Sequence, residues 1–232
     1  MSSDAIKVMD EIDEYVQRNR YAKHSFVQRI ESGEYTTEAL RNWAVQKYFQ
    51  TREQNCIYSA VHANAQPYRD IRGFEVEQLI DEETDQGEGS APHYELIKRL
   101  SDAYGAQEEA YDNANIGSGV RRFVSYLMSV AEREHPVIGM LCTYINEAQT
   151  PESARRMYEA IKRNNGHSDY ELEWFTVHAG ADVEHSRKGR DLIVKHARDL
   201  PDFADRAWWT VERGITEWRA LHDFYYEIIS TS

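Results

Sequence analysis

The chain has 232 residues, and its 40 Asp and Glu against 27 Lys and Arg leave a formal charge of −13. That length leads us to expect one domain over residues 1–232 with a full core. The negative charge excludes nucleic acid as a partner, because phosphate binding needs a basic face. No apolar run reaches the roughly 18 residues of a membrane span, and the start Met1-Ser2-Ser3-Asp4 is polar, so no membrane partner and no signal peptide are expected. The two cysteines, Cys56 and Cys142, are far apart and do not read as a disulfide framework, which fits a reducing cytoplasm.

Few prolines and glycines interrupt the chain and no β-type alternation persists, so the fold class is all-α: a compact bundle of seven to eight helices. Residues 4–18 and 22–31 form a first helical arm. Gly33-Glu34-Tyr35 turns the chain, and Thr37 is read as the N-cap of a long helix to about 64. Leu40, Trp43, Ala44, Tyr48 and Phe49 give that helix one buried face. Pro67 starts the next helix, which runs to the mid-80s and is broken by residues 84–92. His93 opens a short helix ending near Gly105, and a loop around 116–119 leads to two more, with Pro136 as a start or kink. Thr150 begins another helix, stopped by Asn164-Asn165-Gly166. A helix over about 168–197 and a final aromatic helix to about 229 follow, separated by Leu200-Pro201-Asp202.

The chemistry is concentrated in the helix over 168–197. His178, Asp182 and His185 stand at i, i+4 and i+7, about 0°, 40° and −20° around a helix axis, so they share one face. Imidazole and carboxylate together suit iron, manganese or zinc. A charged outer face that happens to carry two histidines is the bland alternative; Trp174, Phe175, Val177 and Ala181 give the helix too much apolar surface for it.

A dinuclear site in a helix bundle takes roughly six ligands from several helices. Glu147 is the first candidate outside the triplet, since it shares a face with Met140 and Tyr144 and a buried carboxylate needs a partner. A helix-terminal glutamate ahead of Pro151 is an equal reading. In Asp81-Glu82-Glu83, the apolar residues Val76, Leu79 and Ile80 define an inward stripe whose next member is Glu83. Glu82 follows Glu75 and Gln78 on the polar side and is the reserve. His93 lies just past the break, where the chain can fold it back towards the same point. Glu132-Arg133-Glu134-His135 carries the Glu-x-x-His spacing of di-iron bundles, but it has no second copy, so His135 is read as a helix-start residue. His24, His62, His167, His196 and His222 are read as structural or surface residues.

The order Glu…His, then Glu-x-x-x-Pro, then His-x3-Asp-x2-His resembles the heme-oxygenase-like di-iron oxidases, of the fold group that includes thiaminase II and pyrroloquinoline-quinone synthase C. The residues that carry the resemblance are Glu83, His93, Glu147, Pro151, His178, Asp182 and His185, within roughly residues 35–200. It implies a heme-oxygenase-like bundle holding two non-heme irons, or one iron and one manganese, with dioxygen as co-substrate. The implied activity is oxidation of a small substrate: C–C cleavage of a fatty or amino acid, or N-oxygenation of an amine. An external electron donor and a homodimer are compatible with it. The tyrosine and lysine associated with the branch that processes itself into p-aminobenzoate are replaced by Asn146 and Met157, so that branch is not expected.

Two kinds of rival stand beside this reading. One keeps the fold without metal: a thiaminase-like enzyme with Cys142 as nucleophile, or a cofactor-free quinone-synthase-like oxidase. The other is a non-catalytic helical partner protein, which leaves six ligand-type residues in family order unexplained.

Overall fold

In a computed structural model, the structure describes residues 2–180 and 182–231, with side chains over 4–180 and 186–231. Twelve α-helices and no strand occur among the described residues. They are α1 (Ser2–Asn19), α2 (Ser25–Ser32), α3 (Thr37–Gln54), α4 (Cys56–Asn64), α5 (Arg69–Glu83) and α6 (His93–Ala103). The second half comprises α7 (Ser118–Arg133), α8 (Pro136–Glu147), α9 (Thr150–Asn165), α10 (Glu173–Gly180), α11 (Asp182–His196) and α12 (Phe203–Ser230). Short 3-10 turns cover 21–23, 108–111, 113–115 and 197–199.

The bundle is built around α8. From Pro136 to Ile145 every residue of this helix is buried, as its unbroken apolar sequence requires, since a helix apolar on all sides must be covered on all sides. It packs against α7, α11 and α12, and α12 runs on to cover α1, α2 and α3. Pro136 stands at the start of α8, where a missing N–H costs nothing, and the Nδ1 of His135 accepts from the Val137 N–H as the N-cap. This is the helix-start role expected for His135.

Local chemistry moves two expected boundaries. Thr36, not Thr37, caps α3, its hydroxyl accepting from Ala39 N–H at 3.1 Å. The long helix expected from 37 to 64 is interrupted at Asn55, which is fully buried and donates through its side-chain amide to the Glu82 carbonyl near the end of α5. One buried asparagine thus joins the α3–α4 junction to the C-terminus of α5.

Candidate metal centre

Helix α5 presents an unexpected face to the interior. Glu75, Gln78 and Glu82 are 0%, 3% and 9% exposed, whereas the apolar Val76 and Ile80 are 43% and 40% exposed. The three polar residues stand at i, i+3 and i+7, one stripe of a helix. The inward stripe expected from Val76, Leu79 and Ile80 therefore points the other way. Glu82 faces the core, and Glu83 is only half-buried and stands outside the group described next. Interior polar groups invert the usual pattern only where something offsets their burial.

After α5, residues 84–92 fold back so that His93, the first residue of α6, faces Glu82. Gly89 sits in this loop at φ +93°, a left-handed conformation that side chains other than glycine's rarely adopt, and a Cβ there would press on Leu96 and Val177. Glu173, the first residue of α10, accepts from the Ser90 N–H (2.8 Å) and hydroxyl (2.6 Å) and pairs with Arg99 of α6 at 2.5 Å. The loop, α6 and α10 are thereby held in one arrangement.

The result is a buried group of three: Glu82, His93 and His178, each offering one ligand atom within 4.8 Å of the others. Backbone carbonyls fix both imidazoles. His93 Nε2 donates to the Glu88 carbonyl at 3.0 Å, which leaves Nδ1 to face Glu82 Oε2 at 3.1 Å. His178 Nδ1 donates to the Trp174 carbonyl at 2.7 Å, leaving Nε2 4.0 Å from Glu82 Oε1. The His178 ring also stacks on the Trp174 indole at 4.1 Å. A hydrogen bond on one ring nitrogen, freeing the other, is the way metal-ligating histidines are oriented. His93 Nδ1 and Glu82 Oε2 are buried and form an ion pair without the geometry of a hydrogen bond.

Two further buried carboxylates complete the surroundings. Glu147, at the end of α8, accepts from Gln78 Nε2 at 3.0 Å and from the Tyr58 hydroxyl at 3.5 Å. Neither oxygen of Glu75 has a hydrogen-bond partner among the described residues. Burial, and then the Glu82 charge, push the Glu147 carboxyl up to about 8; burial, and then Glu147, push Glu75 well above the usual range. Burial acts on Glu82 in the same direction, but the His93 imidazole, with His178 and Lys47 behind it, outweighs this and holds Glu82 low. Burial lowers His93, yet the Glu82 carboxylate raises it further, to about 9, so the ring is charged against Glu82 and a bound cation would displace its Nδ1 proton. Burial and the neighbouring His93 charge drop His178 to about 3, so it is a neutral lone-pair donor.

Elsewhere the fold neutralises a buried carboxylate with protein cations: Glu217 takes both Arg122 and Arg213. Around Glu75, Glu82 and Glu147 no arginine plays that part among the described residues. Carboxylate and imidazole donors, rings oriented by backbone carbonyls and the unpartnered buried oxygens of Glu75 fit a divalent iron or manganese ion. Asp182 and His185, the other two members of the expected triplet, have side chains outside the described residues. Glu75 was missed by sequence reasoning. Its seven-residue spacing from Glu82 was a signal, but the apolar pattern beside it pointed to the opposite face.

The fold resembles that of a CADD-like protein of unknown function from Nostoc punctiforme (TM-score 0.76, 16% identity, 98% of this chain and 100% of that one). It also resembles a TenA homologue from Pseudomonas syringae (TM-score 0.75, 10% identity, 97% and 92%) and a heme-oxygenase-like domain from Shewanella denitrificans (TM-score 0.73, 12% identity, 96% and 91%). In sequence, the chain is 25% identical over 192 residues to a 4-aminobenzoate synthase of Chlamydia pneumoniae, covering 82% of this chain and 84% of the relative. A 4-aminobenzoate synthase of Nitrosomonas europaea is 26% identical over 201 residues, covering 83% and 80%. Residues 41–218, which carry every ligand-type residue discussed above, match the family of iron-containing redox enzymes. With that match over most of its length on a heme-oxygenase-like bundle, the chain belongs to the iron-containing redox enzyme family and is an oxidoreductase.

Proposed function

We propose that the protein is a dioxygen-dependent oxidase of a small organic substrate and that it holds two metal ions, both iron or one iron and one manganese. In this reading Glu82, His93 and His178 hold one pole of the centre. Glu147, Asp182 and His185 would supply the remaining ligands. Iron held there would supply electrons for the reduction of dioxygen, with an external donor to replenish them. The residues around it set geometry and charge. The Glu88 and Trp174 carbonyls keep the His93 and His178 lone pairs inward. Gln78 and Tyr58 orient Glu147. Glu75 adds a buried carboxylate that can hold a proton beside the centre.

The observation that carries this reading is the pair of imidazoles each tied at one ring nitrogen to a backbone carbonyl so that the other nitrogen of each faces one carboxylate. The test is iron and manganese content per chain after anaerobic reconstitution with Fe(II), followed by visible spectra on adding oxygen. About two metals per chain and a transient visible band support it; a chain that binds no metal under those conditions overturns it. The name of the curated relatives makes 4-aminobenzoate one product to assay, with Asn146 and Met157 standing against it.

A further inference from the structure

Glu75 stands outside the six-residue ligand set, yet nothing in the protein answers its carboxylate. It is fully buried in α5, and neither of its oxygens has a hydrogen-bond partner among the described residues. The charge it feels is that of another buried carboxylate, Glu147. Gln78 follows Glu75 on the same stripe of α5 and donates to Glu147 at 3.0 Å, and Glu82 comes next on that stripe. Seven residues span about 10.5 Å along a helix. Glu75 and Glu82 therefore mark the two ends of one polar stripe, with Gln78 and its hold on Glu147 between them.

Cations stand close by and go elsewhere. Helix α5 lies against α11: Asp70 pairs with Lys195 at 2.6 Å and with His196 at 2.9 Å, the Phe74 ring faces Gly189, and Glu77 pairs with Lys188. These contacts make the two helices antiparallel and run the first half of α11 alongside Glu75, Gln78 and Glu82. The described cations of α11 all serve other carboxylates: Arg187 takes Asp191, Lys188 takes Glu77, Arg190 takes Asp10 and Asp13, and Lys195 takes Asp70. A proton on Glu75 would cancel its charge but leave a buried O–H and C=O still without partners, which is costly. A metal ion relieves the charge and the missing contacts together.

We infer that Glu75 is a further ligand of the metal centre, binding the ion that Glu82, His93 and His178 do not hold. The inference deepens the function proposed above and rests on its two-metal reading. Two divalent ions bring four positive charges, of which Glu82, Glu147 and Asp182 would offset three. Glu75 supplies the fourth negative charge and leaves the buried centre neutral, whereas a net charge in the interior is expensive. Ions in dinuclear sites lie about 3.5–4 Å apart, and Glu75, two helical turns from Glu82, falls to the second of them. An added carboxylate makes the surroundings of that ion richer in oxygen than the side with two imidazoles, which suits manganese as well as iron.

The test is anaerobic titration of the full chain with Fe(II) and, separately, with Mn(II), followed by calorimetry and by competition with a chromophoric chelator. Glu75→Gln keeps the size of the side chain and removes its charge. The expected result is one ion held as tightly as in wild type and the second at least roughly ten-fold more weakly. Glu75→Leu serves as a second variant: in the metal-free protein it removes an unpartnered polar group, so its Tm should equal or exceed that of wild type, while metal should raise its Tm less. A two-metal wild type whose affinities Glu75→Gln leaves unchanged overturns the inference alone. Equal weakening of both ions also overturns it, since the change then acts on the whole site. A metal-free Glu75→Leu protein that melts well below wild type overturns it too, because the carboxyl then supports the fold without metal. A wild-type chain that binds no metal overturns the two-metal reading and the inference with it, and that failure shows in the wild type itself.

Discussion

Glu82 Oε2 and His93 Nδ1 lie 3.1 Å apart, brought together by a loop that reverses the chain between α5 and α6. Both atoms are buried without a hydrogen bond, so once a cation displaces the His93 proton the pair would offer it two donors at a common point. Glu83, one residue on, is turned some 100° away around the helix. Metal content should therefore separate two adjacent glutamates. Glu82→Ala is expected to lose most of the bound iron, and Glu83→Ala to retain it. Equal iron in the two variants would falsify the assignment of α5's inward face.

Metal binding should also stabilise the fold measurably. Glu75, Glu82 and Glu147 concentrate buried carboxylates that a cation would relieve. Ligand present at about 100 times its Kd adds about 2.7 kcal/mol. For a chain of this size that is worth roughly 5–10 °C in Tm. Anaerobic Fe(II) or Mn(II) is expected to raise Tm by that amount in calorimetry, and a chelator to reverse it. An unchanged Tm with metal present in excess would contradict the site.

Gln78 offers a milder perturbation. Its amide donates to Glu147 at 3.0 Å from the same stripe of α5 that carries Glu82. Gln78→Leu keeps the volume and removes the donor that orients the carboxylate. Loss of such an outer hydrogen bond typically weakens metal affinity by about 10- to 100-fold. Competition for Fe(II) against a chromophoric chelator should show a loss in that range with near-normal circular dichroism. Wild-type affinity would mean that Gln78 only fills space.

The two cysteines should differ in reactivity, which bears on a thiaminase-like mechanism. Cys142 is buried in α8, and burial pushes its thiol up to about 12, so almost no thiolate exists at neutral pH. Cys56 is exposed. Thiol titration of the native protein should modify one cysteine per chain, identified by peptide mapping as Cys56, and both after unfolding. Cys142→Ala should retain oxidase activity at a stability cost of about 1–2 kcal/mol. Rapid native labelling of Cys142, or loss of all activity in a folded Cys142→Ala protein, would restore the nucleophile reading.

Much of this was legible in the chain. The all-α class follows from residue spacing, the start of α8 from Pro136, and the end of α9 from Gly166, which adopts a left-handed φ of +72°. His93 and His178 were identified from their residue type and from the family order, and both lie in the buried group. Glu147 is buried beside them, as its place on an apolar face implied. His222 was read as a structural or surface residue, and it is buried. Only the packing of α3 against α12 shows that it shares a cavity with Lys47.

The sequence by itself determined which residue types were available and where the helices run, because propensity, capping and periodicity act over a few residues. Which face of α5 turns inward was decided by the tertiary structure alone. Read locally, Val76, Leu79 and Ile80 are the natural inner stripe, and hydrophobic burial would place them there. The fold instead leaves Val76 and Ile80 partly exposed and buries Glu75, Gln78 and Glu82, because these must meet His93, Glu147 and His178 from three other helices. That choice depends on contacts between residues tens of positions apart, which the spacing of Glu75 and Glu82 within α5 hints at but does not decide.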